Sequence, residues 1–91
     1  MNGTEELITD RAIDLVWGNA NFGEDTPRRE IIANGLLKYA TGYKTGKTIR
    51  EILEELGLVR TKWKGITEVN VYLTQLGKEY LFLYYSKGLS V

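Results

Sequence analysis

Six cationic side chains carry the most legible chemistry in this sequence: Lys44, Lys47, Arg50, Arg60, Lys62 and Lys64, all between residues 44 and 64. A cation beside a nucleic-acid phosphate releases condensed counterions, which makes these six the candidate phosphate contacts. A charge run is also how an ordinary solvated face reads, and that alternative stays open. Trp63 lies among the cations, where an indole can stack on a base. Its alternation with Val59 and Thr61 favours packing against a sheet instead.

Catalytic chemistry has much less to work with. The 91 residues include no His and no Cys. Zinc fingers, disulfide frameworks, thiol nucleophiles and imidazole-dependent triads are therefore excluded. A histidine-type switch near neutral pH is excluded with them. Tyr, Lys and Glu can still move protons, but no spacing assembles them, so an enzyme is not expected. Neither a metal nor a cofactor is expected.

Two further patterns nearly match binding motifs. Residues 42–48, Gly-Tyr-Lys-Thr-Gly-Lys-Thr, resemble a phosphate-binding P-loop but have three residues between the glycines where four are needed. A turn-forming loop ahead of a capped helix accounts for them better. Asn19, Asn21, Asp25 and Glu30 are spaced somewhat like a calcium loop, yet Glu24 stands where glycine is required. An ordinary Asx-rich loop is expected there.

The run Tyr80-Leu81-Phe82-Leu83-Tyr84-Tyr85 is apolar or aromatic around nearly a whole helix. A small domain cannot cover every side of such a helix. Either the helix is central in the domain, or its outer face meets another chain, and in the second case Tyr80, Leu81, Tyr84 and Tyr85 are the candidate contacts of a homodimer.

The formal net charge of zero, 12 basic against 12 acidic, hides opposed halves. Residues 1–37 hold three basic and seven acidic side chains, and residues 38–91 hold nine and five. The zero therefore does not argue against nucleic acid. A chain of this length fits one domain, residues 1–91, with one core. No basic segment followed by an apolar run opens the sequence, and no apolar stretch is long enough to span a bilayer. A cytoplasmic protein with no membrane association is expected.

These residues need elements to position them. Thr9 caps a first helix carrying Ala12, Ile13, Val16 and Trp17, with Ile8 and Ile13 at hydrophobic-staple spacing. Residues 5–8 can extend it by a turn, and Gly18-Asn19 stops it. Thr26 is expected to cap a second helix with Pro27 at its first position, and Gly42 to end it. Asn34-Gly35 falls inside that helix, where the glycine admits a close neighbour. Thr48 and Glu51 have capping-box spacing for a third helix, which Gly57 terminates. Beyond it the period changes to two. Val59, Thr61 and Trp63 alternate with Arg60, Lys62 and Lys64, and Val69, Val71 and Leu73 with Glu68, Asn70 and Tyr72. Lys64-Gly65 turns between these strands, and Thr74 caps a last helix. The expected class is α+β: three helices, a two-stranded hairpin and a C-terminal helix.

Residues 48–83 of this order resemble the winged helix-turn-helix family. The resemblance is carried by Thr48-Ile49-Arg50-Glu51-Ile52-Leu53-Glu54-Glu55-Leu56-Gly57-Leu58-Val59 and by Tyr72-Leu73-Thr74-Gln75-Leu76-Gly77-Lys78-Glu79-Tyr80-Leu81. In that family a helix ending in Gly-Leu-Val runs into a basic β-wing, and the second strand ends in Leu-Thr-x-x-Gly before a closing helix. The resemblance implies a winged-helix-like fold and a small DNA-binding transcriptional regulator. A competing frame over residues 58–73 makes Arg60 onward the recognition helix of a simple helix-turn-helix. Lys64-Gly65 and the β-branched residues after it favour the wing. The helix that the resemblance places in the DNA groove departs from the pattern, since it carries Glu51, Glu54 and Glu55. Those carboxylates repel phosphates and leave Arg50 alone to read a base edge. They suit a basic protein, so a protein-interaction module of the same fold is the alternative.

Overall fold

A computed structural model describes residues 4–18 and 26–86. They form α1 (Thr4–Leu7), α2 (Asp10–Trp17), α3 (Arg28–Ala40), α4 (Lys47–Glu55), β1 (Val59–Lys64), β2 (Glu68–Leu73) and α5 (Gln75–Ser86). The class is α+β, with helices first, then a two-stranded antiparallel hairpin, then a closing helix. The Asx-rich stretch 19–25 lies outside the described residues.

The start of α2 follows its sequence signals. Thr9 is extended (φ −75°, ψ 156°) and its Oγ1 accepts the Ala12 amide at 3.1 Å. Ile8 and Ile13 are both buried, as the staple requires. The extended Thr9 also separates α1 from α2, so residues 4–7 form their own turn rather than a longer α2.

Two other starts differ from expectation. Pro27, not Thr26, is the N-cap of α3, because its ψ of 137° puts it outside the helix. Its carbonyl accepts the Glu30 and Ile31 amides at 3.0 and 3.1 Å, and no side chain caps the end. Gly46 likewise caps α4 through its carbonyl, which accepts the Arg50 amide at 3.1 Å. Thr48 is then already inside the helix, and the Thr48–Glu51 capping box does not form. Glu51 instead lies 3.9 Å from the Lys47 ammonium, one turn away.

α3 and α4 are each followed by a left-handed glycine, Gly42 (φ 89°) and Gly57 (φ 77°). At each, the next residue's amide reaches back, Tyr43 to the Lys38 carbonyl at 2.7 Å and Leu58 to that of Leu53 at 2.9 Å. This is the Schellman arrangement, and Leu53 and Leu58 bury the apolar contact that accompanies it. α3 runs unbroken through Asn34-Gly35. Gly35 lies against α4, where a Cβ would stand 3.1 Å from Leu53 Cδ1 and 3.2 Å from Ile49 Cγ2.

Residues 59–64 and 68–73 pair from Val59↔Leu73 to Lys64↔Glu68, so the helical frame for 58–73 does not form. Alternation gives the hairpin two faces. Val59, Thr61, Trp63, Val69, Val71 and Leu73 share the inner one. Arg60, Lys62, Lys64, Glu68, Asn70 and Tyr72 share the outer one. At the open end, Thr74 fastens the hairpin to both neighbouring helices. Its amide donates to the Leu58 carbonyl at 3.0 Å and its hydroxyl to the Gly57 carbonyl at 2.6 Å. The same hydroxyl accepts the Gly77 amide at 3.1 Å, capping α5.

The core gathers residues from α2, α3, α4, β1 and α5, and Leu7 of α1 and Val71 and Leu73 of β2 pack against it. Tyr80, the largest fully buried side chain, donates its hydroxyl to the Arg29 carbonyl at 3.4 Å. Burial pushes the Tyr80 phenol up, more than the neighbouring Arg29 guanidinium lowers it. Tyr84, stacked on Tyr80 at 6.4 Å, shifts the same way through burial and then Glu30. A tyrosine raised in the folded state holds its proton where the unfolded chain has lost it. Its stabilisation is complete below the ordinary value of about 10 and is lost as pH rises beyond it. Denaturant titrations are therefore expected to show stability falling above about pH 10, with a shallower fall in Tyr80→Phe. A wild-type curve that stays level there refutes the shift.

Candidate nucleic-acid interface

The hairpin register sorts the six cations by face. Arg60, Lys62 and Lys64 stand in line on the outer face of β1, about 6.7 Å apart at a strand's rise, and all three are exposed. Asn70 and Tyr72 pair opposite Lys62 and Arg60 on the same face. Each offers a hydrogen bond or a ring to a nucleotide. Only Glu68, opposite Lys64, brings a negative charge to this face.

The other three cations lie elsewhere. Arg50 projects from α4 to the inner face, its guanidinium 5.6 Å from the Trp63 ring centroid. Lys44 and Arg50 line a recess of about 200 Å³ that Tyr43, Val69 and Val71 also line. Lys47 is in the first turn of α4 beside Glu51. Sequence proximity thus grouped cations that the sheet sets on opposite faces, and only Arg60, Lys62 and Lys64 share one.

Trp63 is on the inner face, as its alternation requires, yet it is 55% exposed. The strand runs past the core, so the indole covers Arg50 instead of packing among aliphatic residues. A cation over an indole contributes about 0.5–1 kcal/mol at such an exposed site.

The exposed surface of α4 is acidic. Glu51 and Glu55 border a small recess with Val16 and Trp17, and Glu54 accepts a hydrogen bond from the Thr61 hydroxyl. The helix that the family resemblance sends into a groove presents carboxylates there, as its sequence indicated. Among the described residues no three carboxylates come together to hold a metal ion.

The four aromatic and aliphatic candidates for a dimer contact also separate. Tyr80 is in the protomer's own core and cannot touch a second copy. Tyr84 is half-buried and meets Tyr85 edge to face at 5.2 Å. Leu81 and Tyr85 line a groove of about 710 Å³ between α3, β2 and α5, with Phe82 the most exposed at 71%. The sequence had not indicated this groove. Leu37 and Leu73, which help to form it, come from elements far apart in the chain.

No helix among the described residues is long and apolar enough to cross a membrane. No protein-family model, no curated protein and no solved structure matches this chain.

Proposed function

We propose that this chain is a small winged-helix DNA-binding protein, a regulator whose hairpin is the wing that contacts the phosphate backbone. One observation carries the reading: Arg60, Lys62 and Lys64 stand in a row on the exposed outer face of β1. A row of cations on a two-stranded ribbon suits backbone contact, which positions a protein without reading bases. The acidic surface of α4 points the same way, since it disfavours base contacts by that helix. Binding is then led by the wing and weakly selective for sequence.

Three phosphate contacts give a slope of log affinity against log salt of about −2.7. Titration of mixed-sequence duplex across a salt series is expected to show at least that steepness. The combined Arg60→Glu, Lys62→Glu, Lys64→Glu variant is expected to bind about tenfold or more weakly at low salt, with the slope flattened. All three side chains are exposed, so circular dichroism should be unchanged. A duplex affinity that ignores salt, or a variant that binds as wild type does, ends this reading.

A second reading has its own observation. Glu51 and Glu55 flank Val16 and Trp17 at the α2–α4 surface, an acidic rim around an apolar recess. That suits a basic protein partner, and the chain is then an interaction module of the same fold. A pull-down from nuclease-treated extract should retain a protein that Glu51→Lys with Glu55→Lys releases. Recovery of nucleic acid alone counts against it.

A further inference from the structure

Among the described residues the sheet has two strands, and the side of β2 away from β1 carries no third. The Thr74 amide to Leu58 carbonyl bond marks that pair as hydrogen-bonded. Antiparallel alternation then makes Arg60↔Tyr72 and Lys62↔Asn70 bonded pairs and turns the peptide groups of Val69 and Val71 outward. Among the described residues, nothing hydrogen-bonds to those outward groups.

A cleft follows this edge. The recess at Lys44 and Arg50 and the groove at Leu81 and Phe82 share Tyr39 and Val71 in their walls, so they adjoin along β2. Exposed edges in natural sheets are blunted by proline, bulges or inward-pointing charge. β2 has none of these, and its inner-face residues are Val69, Val71 and Leu73. The charged groups lining the cleft are all positive: Lys44 and Arg50 at one end and Lys78 at the other, with no carboxylate between.

We propose that the free edge of β2 is a docking site for an extended acidic segment of a partner protein, bound by strand addition. The proposal stands apart from the hairpin's outer face and from the α2–α4 surface. Backbone hydrogen bonds to Val69 and Val71 hold the segment, and alternate apolar side chains enter the groove beside Leu37, Leu73 and Leu81. Its carboxylates meet the lysines at the two ends. From Val69 to Leu73 the edge spans about 13 Å, enough for a segment of four or five residues. A second copy fits poorly, because antiparallel pairing of two β2 edges brings Lys44 and Arg50 of one against Lys78 of the other. Like charges placed opposite one another disfavour such a pairing.

The test uses the full chain labelled with ¹⁵N and a pool of acidic heptapeptides, with Asp or Glu alternating with Val, Ile, Leu or Phe. Saturable amide shifts centred on Val69 and Val71 are expected, with slower hydrogen exchange at both. N-methylation of the pool's apolar residues is expected to weaken binding about tenfold or more, since it removes the edge hydrogen bonds. Lys44→Glu and Lys78→Glu, both at exposed positions, should each weaken it several-fold. The proposal is overturned if the pool leaves Val69 and Val71 unshifted at millimolar concentration, or if N-methylation has no effect. It is equally overturned if oligothymidylate shifts the same amides, or if the peptide-free chain doubles in mass with both amides protected.

Discussion

Gly77→Ala is expected to cost about 3 kcal/mol or more and to lower the melting temperature by roughly 15 °C or more, the largest effect of any single methyl group in this chain. A Cβ at residue 77 would overlap the Leu58 carbonyl oxygen and stand 3.0 Å from its carbon. The obstacle is backbone, and it is held in place. The Leu58 amide is bonded to Leu53, its carbonyl accepts from Thr74, and its side chain is fully buried. Relief requires α5 to move away from the α4–β1 corner, which also withdraws Tyr80 from the core. Gly35→Ala is the matching control. Its Cβ meets side chains and no backbone, the Leu53 end and the γ-methyls of Ile49 and Thr45, which need give by only a few tenths of an ångström, and alanine gains up to about 1 kcal/mol of helix propensity over glycine. A net change within about 1 kcal/mol of zero is expected for Gly35→Ala. Denaturant unfolding of the two variants side by side checks both, and equal losses would refute the distinction.

The Leu-Thr-x-x-Gly pattern at residues 73–77 thereby acquires a physical meaning. Thr74 must cap α5 and bond the Gly57 carbonyl at once, and Gly77 must let α5 lie on the Leu58 peptide. The contacts with Gly57 and Leu58 reach across to the far side of the hairpin and were not legible in the sequence, whereas the Thr74 cap was, because its requirement is local. The same holds for the Thr9 cap, for the left-handed turns at Gly42 and Gly57, and for the period-two alternation of both strands. The caps at Pro27 and Gly46 were not legible. There a backbone carbonyl serves where Thr26 and Thr48 offered side chains, and the choice turns on where the packed face of each helix begins.

The candidate site was legible in composition but not in grouping. Six cations crowd residues 44–64, yet which of them act together is decided by strand register and by the path of α4. Arg50 lies under Trp63 because α4 packs on the inner face, and no period within α4 announces that. Asn70 and Tyr72 join Arg60 and Lys62 only through pairing across the hairpin. The cleft along β2 was hidden for the same reason, since its walls come from α3, β2 and α5 together. The aromatic run at residues 80–85 announced excess apolar surface without saying that Tyr80 would spend its ring on the core.

Arg29→Ala is expected to cost about 2–3 kcal/mol, a large loss for a polar side chain outside the apolar core. Its side chain is only 13% exposed, and it ties α3 to both N-terminal helices. Nη2 donates to Asp10 Oδ1 at 2.7 Å and to the Ile8 carbonyl at 2.8 Å, Nε to the same carboxylate oxygen at 3.1 Å, and Nη1 to Thr4 Oγ1 at 3.2 Å. Burial opposes its charge, but Asp10 and Tyr80 together outweigh that, and the guanidinium is held above its ordinary value. It therefore stays charged across the whole range in which the protein folds. The carboxylate partner matters less than the fork. Asp10 is 76% exposed, so Asp10→Asn should lose no more than about 1 kcal/mol, because water shares that pair. Arg29→Lys should lose nearly as much as alanine, since one ammonium cannot reach Asp10, Ile8 and Thr4 together. Hydrogen exchange gives the sharper readout. Amides of α1 and α2 should open faster in Arg29→Ala, while the hairpin amides change only as far as global stability falls. Uniform acceleration across the chain would mean that the N-terminal helices are held by the core alone, through Ile8, Ile13 and Trp17, and that the guanidinium fork is incidental to their docking.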